Sequence, residues 1–169
     1  GVVYCQECEG RIGERGLAEE WPIPASNIVG YVSIPPAGVY DRSATEILDA
    51  AGVWTVADIQ SIVREVCPQC SATIDSSPRV CKDHDDVDDF CEQCKHRFAV
   101  SVDVACTNCP FKTRSPYPTH ALGNLDLMAF MTAHGIDPFA SDAFHLRSCT
   151  EELLSTDPLR ARYTFTADG

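Results

Sequence analysis

No run of apolar residues in this 169-residue chain approaches the ~20 needed to cross a bilayer, and its first residues lack the charged-then-apolar pattern of a secretory leader. Both absences lead to the expectation of a soluble, cytoplasmic protein with no membrane partner. Lysine is nearly missing: Lys82, Lys95 and Lys112 stand against ten arginines, and 13 basic against 25 acidic residues leave a net charge of -12. No basic stripe is present, so the chain is not expected to grip nucleic-acid phosphates by itself. An acidic surface poor in lysine stays hydrated in concentrated salt, which screens its self-repulsion, and the composition suits a halophile. Frames for catalysis are missing too. There is no phosphate-cradling glycine loop, no nucleophile elbow and no recognisable pair of carboxylates, so no enzyme is expected. The acidic run Asp83, Asp85, Asp86, Asp88 and Asp89 lacks the glycine and the terminal glutamate of a calcium loop and reads as a solvated turn.

What the chain does have is cysteine. Eight of its ten cysteines form four C-x-x-C pairs, and a fifth pair is C-x-x-H: Cys5/Cys8, Cys67/Cys70, Cys81/His84, Cys91/Cys94 and Cys106/Cys109. Two thiolates three residues apart on a tight turn can face one cation, and two such turns complete a tetrahedral shell. The count allows two closed zinc sites within residues 67 to 109. Cys5/Cys8 are left as a third knuckle, a dithiol switch or the remnant of a lost ribbon. A shell of four cysteines, or of three with one histidine, keeps no open position for water, so the zinc is read as structural. Cys149 reads as a small buried hydrophobe. Of the histidines only His84 has ligand spacing. His96 reads as an exposed strand residue or a donor to a thiolate, and His120, His134 and His145 as capping or surface groups.

The pairing of knuckles depends on the stretch between them. "RFAVSVDVAC" places Phe98, Val100, Val102 and Val104 on one alternating face with nothing to turn the chain, so Cys91/Cys94 and Cys106/Cys109 should lie at opposite ends of a strand. In a nested arrangement Ser71 to Val80 is its antiparallel partner. One site is then Cys67, Cys70, Cys106 and Cys109, and the other Cys81, His84, Cys91 and Cys94. A sequential arrangement instead turns at Asp75-Ser76-Ser77-Pro78 and joins neighbouring pairs. Both arrangements use the same eight residues.

Elsewhere, Ile28 to Ile34 reads as a strand ended by Pro35-Pro36. Ser43 and Glu46 form a capping box opening a helix over 44 to 51, which Gly52 closes. Val56, Ile59, Ile62, Val63 and Val66 fall at helical spacing over 56 to 66. After Pro118, "THALGNLDLMAFMTAHG" reads as one helix with Leu122, Leu125, Met128, Ala129 and Met131 on its apolar face and Gly135 at the C-cap. Glu151 to Leu154 reads as a helical turn. "RARYTFTADG" reads as a strand running into an Asp168-Gly169 turn, as though the chain were a piece of a longer one. The expected class is α+β: zinc-ribbon β-hairpins with flanking helices. The segments are 1-66, 67-118 with two zinc sites, and 119-169, together one compact domain.

Four stretches carry a resemblance over most of the chain: "IPPAGVYDRSATEIL", the run from Val66 to Asp85 that opens "VCPQC" and closes "RVCKDHD", "FCEQCKHRFAVSVDVACTNC" and "STDPLRARYTFTADG". They resemble the region that follows the DNA-binding part of ArsR-like winged-helix transcriptional regulators of halophilic archaea. The resemblance implies a zinc-binding sensory or oligomerisation domain, with DNA contacted only through a separate winged helix outside these residues. It also implies a first ribbon, of which only Cys5/Cys8 is visible here. A homodimer through the apolar helices is compatible with this reading. The alternative is a stand-alone zinc-ribbon interaction adaptor or a thiol redox sensor.

Overall fold

The computed structural model describes residues 2–4, 28–31, 34–85, 91, 93–94, 97–140 and 149–166. Cys5, Cys8, Asp86, Asp88, Asp89, His96, His145 and the Asp168-Gly169 turn lie outside them. The chain divides into two compact units, Gly1–Trp54 and Thr55–Gly169.

In the first unit β1 (Val2–Tyr4) pairs antiparallel with β2 (Ile28–Tyr31), the latter inside the stretch expected as a strand. Helix α1 (Ala44–Ile62) opens with the expected capping box. The Ser43 N–H donates to Glu46 Oε2 at 2.8 Å and the Glu46 N–H returns to Ser43 Oγ at 3.4 Å. These bonds hold the Glu46 carboxyl below its usual range. Gly52 does not close the helix as expected. An isolated glycine costs about 1 kcal/mol in a helix interior, and the apolar spacing on both sides of it outweighs that.

Helix α1 stops instead at Ile62 without a glycine. The Val66 N–H reaches the Ser61 carbonyl and the Glu65 N–H the Ile62 carbonyl, a Schellman closure with Glu65 at φ 60°. Val56, Ile59 and Ile62 are buried as expected. Val63 and Val66 lie past the stop and are exposed.

The second unit is built on an antiparallel sheet ordered β3 (Ile74–Val80), β4 (Val100–Cys106), β5 (Lys112–Pro116). Ile74 faces Cys106, and Val80 faces Val100. Residues 75 to 78 are therefore strand and not turn. Pro78 is tolerated because β3 is an edge, where a missing N–H removes no second ladder. Phe98, Val100, Val102 and Val104 are all buried on the expected face. Val102 and Val104 pack with Ile62, Cys67 and Ile74. On the opposite face Asp103 accepts from both Arg79 and Arg114, which hold its carboxyl below the usual range, Arg114 foremost.

The helix expected over 120 to 134 is broken in two. Helix α2 (Tyr117–His120) runs into a 3-10 turn, Ala121–Gly123, and α3 (Leu125–Ala133) starts afresh. Asn124 caps α3 by accepting from Asp126 N and Leu127 N. The break resets the helical phase, so Leu125 is exposed while Leu122 and Met131 pack on Ile59. Gly135 closes α3 at φ 73° as expected.

The helical turn expected at 151 to 154 is also corrected. Those residues belong to β6 (Cys149–Thr156), paired with β7 (Leu159–Phe165) through a turn at Asp157-Pro158. Cross-strand pairing with the alternating "RARYTF" overrides the helix preference of Glu and Leu. Composition separates residues 119 to 169 from the segment before them, but hydrogen bonds from Ala99 and Val100 to Glu151 gather them in one unit. The class is α+β.

Leu122 sits fully buried between α1 and α3, so Leu122→Ala should cost about 3 kcal/mol in denaturant unfolding, and Asn124→Ala about 1 kcal/mol. Equal midpoints for wild type and Leu122→Ala would contradict this core.

Candidate metal centres

The register of β3 on β4 brings the cysteine pairs together in the nested arrangement. At one end of the hairpin stand Cys67, Cys70, Cys106 and Cys109, and at the other Cys81, His84, Cys91 and Cys94. Within each group the ligand atoms all lie within 4.8 Å of one another. Seven strand residues at ~3.4 Å each put roughly 20 Å of sheet between the groups. Each cluster could hold a metal ion.

The four-cysteine site is built by two turns. After α1, the Ser71 N–H donates to the Cys67 carbonyl and the Cys67 N–H to Ala72, with Ser71 at φ 61°. After β4, the Cys106 N–H donates to the Phe111 carbonyl. Thr107 joins the turns, its N–H and hydroxyl both reaching the Thr73 carbonyl at 3.1 and 3.0 Å. Cys67 Sγ is then 3.6 Å from Cys109 Sγ, and Cys70 Sγ 3.5 Å from Cys106 Sγ. A disulfide would need about 2.05 Å. A tetrahedral ion with bonds of about 2.3 Å needs sulfurs about 3.8 Å apart, which these distances approach.

Hydrogen bonding prepares the sulfurs unequally. The N–H groups of Asn108 and Cys109 donate to Cys106 Sγ at 3.3 and 3.4 Å. Led by the Asn108 donor, they pull the Cys106 thiol down to about 6. At Cys109 the Phe111 backbone lowers the value, but burial and the sulfurs of Cys70, Cys106 and Cys67 win and push it up to about 12. One thiolate thus opposes the next in so small a space. A dication would remove the conflict by neutralising both. Cys67 is buried in the core beside Ile62 and Ile74, so this site is continuous with the hydrophobic cluster.

The second site uses three sulfurs and one imidazole. Cys81 continues the ladder past β3, its N–H donating to the Ala99 carbonyl at 2.9 Å, and its Sγ lies 3.9 Å from Cys91 Sγ. His84 Nδ1 is 3.4 Å from Cys94 Sγ, near the ~3.5 Å edge that tetrahedral sulfur and nitrogen ligands would share. His84 Nε2 lies 3.2 Å from the Arg97 carbonyl, which can only accept. Nε2 is therefore the donor of that bond, and Nδ1 is the ring nitrogen turned to the sulfurs, where it could serve a metal. At Cys91, burial and the Asp85 side chain push the thiol up, yet N–H donors of Cys94, Asp85 and Gln93 bring it below its ordinary value.

Cys149 is fully buried, and burial raises its thiol to about 11, as expected of an inert core group. His134 caps α3, with Nδ1 2.8 Å from the Phe130 carbonyl. His120 is half-buried against Ser115 Oγ at 2.8 Å, and burial lowers its pKa, so a surface role does not fit it. Sequence spacing missed Asn108, whose N–H and side chain reach two sulfurs, and the Arg97 carbonyl behind His84. Asn at an inner position of C-x-x-C was a readable signal for the first. A backbone carbonyl leaves none.

The family model described as "Domain of unknown function (DUF7351)" matches residues 2–169. No curated protein and no solved structure matches the chain.

In the metal-free chain at pH 7, Cys106 should be thiolate and Cys109 and Cys149 thiol. Limited alkylation read by mass spectrometry should modify Cys106 before both, and the Cys106 rate should fall as pH drops through about 6. Uniform rates at the three positions would refute the ordering.

Proposed function

The chain belongs to this family, and on that premise we propose that it is a structural zinc-binding module which serves as the sensory or oligomerisation part of a transcription regulator. The observation that carries the zinc reading is the placing of four soft ligands at each end of one hairpin, at separations close to tetrahedral edges. Thiolate and imidazole sets of this geometry suit Zn2+ over hard cations. Each set is complete, so the metal keeps no position for substrate and the reading is structural and not catalytic.

The regulator reading rests on the resemblance to ArsR-like proteins of halophilic archaea. The surface is compatible with it. Arg79 and Arg114 are engaged with Asp103, and at a net charge of -12 DNA contact falls to a separate winged helix. No helix among the described residues is long and apolar enough to cross a membrane.

Zinc would supply a large share of the folding energy. Structural sites contribute on the order of 10 kcal/mol or more, comparable to the whole stability of a small domain. Elemental analysis of protein purified without added metal should find zinc at both sites. The double change Cys81→Ser, His84→Ala should remove one equivalent and spare the four-cysteine site, while Cys70→Ser should do the reverse. Full loss of metal in either variant, with the sheet still folded, would exclude independent sites. Metal-free wild type with an intact fold would overturn the zinc reading.

A further inference from the structure

Residues 97 to 100 face two ways. Their carbonyls serve the second metal site: Arg97 O holds His84 Nε2 at 3.2 Å, and Ala99 O accepts from the Cys81 N–H at 2.9 Å. Their amides serve the C-terminal hairpin: the Ala99 and Val100 N–H groups donate to the two oxygens of the Glu151 carboxylate at 2.5 and 3.2 Å. The Tyr163 hydroxyl donates to the same carboxylate at 2.6 Å from the partner strand. The Arg97 guanidinium donates to the Cys149 carbonyl at 3.3 Å, at the start of β6. Phe98 meets the Tyr163 ring edge-on at 6.4 Å, and Tyr163 stacks on Tyr117 at 5.5 Å.

The hairpin needs this platform. It is two strands with few buried side chains, Leu153 and Leu154 among its exposed ones, and a two-stranded hairpin alone is marginal in water. Glu151 meets the platform through the amides of Ala99 and Val100, Arg97 reaches back to the Cys149 carbonyl, and the Tyr163 hydroxyl holds the Glu151 carboxylate from within the hairpin.

We propose that occupancy of the Cys81, His84, Cys91, Cys94 site and docking of the β6–β7 hairpin are coupled through Arg97 to Val100, with Arg97 and Glu151 as positioning residues. The proposal rests on the metal-site reading above. When a metal holds His84 and Cys81, the carbonyls of 97 and 99 are fixed, and the amides of 99 and 100 present a preformed cradle for Glu151. Without it the segment loses one set of anchors and the hairpin loses its cradle. Linkage requires the converse: a docked hairpin tightens the site by the factor with which the site tightens the hairpin. The four-cysteine site lies at the far end of β4 and does not share these contacts. The hairpin is thus the part of the unit that reports whether this one site is filled.

The test uses the full chain loaded with Co2+, because cobalt bound by four thiolates and cobalt bound by three thiolates and an imidazole absorb differently, so each site can be followed by its own band. In Glu151→Gln and in Arg97→Ala, which keeps the carbonyl on His84, transfer of cobalt from the histidine-containing site to a chelator should become about 10-fold faster. The four-thiolate band should leave as in wild type and so certify the fold. In the converse experiment, His84→Ala should speed hydrogen exchange at Ala99, Val100 and across β6–β7. The amides of Cys67, Cys106 and Thr107 should stay protected. Wild-type release from both sites in Glu151→Gln and Arg97→Ala overturns the coupling and leaves the metal reading intact. A wild-type chain that takes up no cobalt overturns the metal reading, and the coupling with it. A chain whose four-thiolate band fills while the band of the histidine-containing site never develops overturns the coupling as well.

Discussion

Seven consecutive cross-strand pairs, from Ile74 opposite Cys106 to Val80 opposite Val100, set where every ligand of the second unit can go. Because side chains alternate faces with period two, this register places the valines of β4 on the core and Asp103 outside, between Arg79 and Arg114. A slip of one residue would expose Val102 and Val104 and carry Asp103 into the apolar cluster. The cost of that error protects the register, and the register in turn delivers one pair of knuckles to each end of the hairpin.

The two ends are not equivalent. The four-cysteine site grows out of the core, with Cys67 packed beside Ile62 and with both turns joined at Thr73. Its neighbours are the end of α1 and the loop to β5. The second site stands where the sheet has run out, and its surroundings are backbone carbonyls and the edge of the C-terminal hairpin. Ions held at these positions would stiffen different parts of the chain: the helix–sheet junction in one case, the platform under β6–β7 in the other.

Much of the fold was legible because its signals are local. C-x-x-C spacing, the uninterrupted "RFAVSVDVAC" and the Ser43/Glu46 box each depend on a few adjacent residues, and each took the form they imply. The misreadings have a common cause. Gly52, the run through Asn124 and Glu151 to Leu154 all carry local preferences of about 1 kcal/mol or less per residue. Pairing with a distant strand or packing on a distant face outweighed them. Glu65 at φ 60° is the sharpest instance, since a helix stop there has no glycine to announce it.

The sequence by itself determined the inventory: eight candidate ligands in pairs, a net charge of -12, an apolar β4 and the α+β class. Those properties follow from residue chemistry and short-range periodicity. Only the tertiary structure decided which pairs share a site, because nested and sequential pairing use the same residues and differ only in which strand lies beside β4. It also decided that His84 turns Nδ1 to the sulfurs, and that Glu151 meets Ala99 and Val100 across some fifty positions of chain. Contacts of that range are made by the folded backbone, whose amides and carbonyls are the same in every sequence.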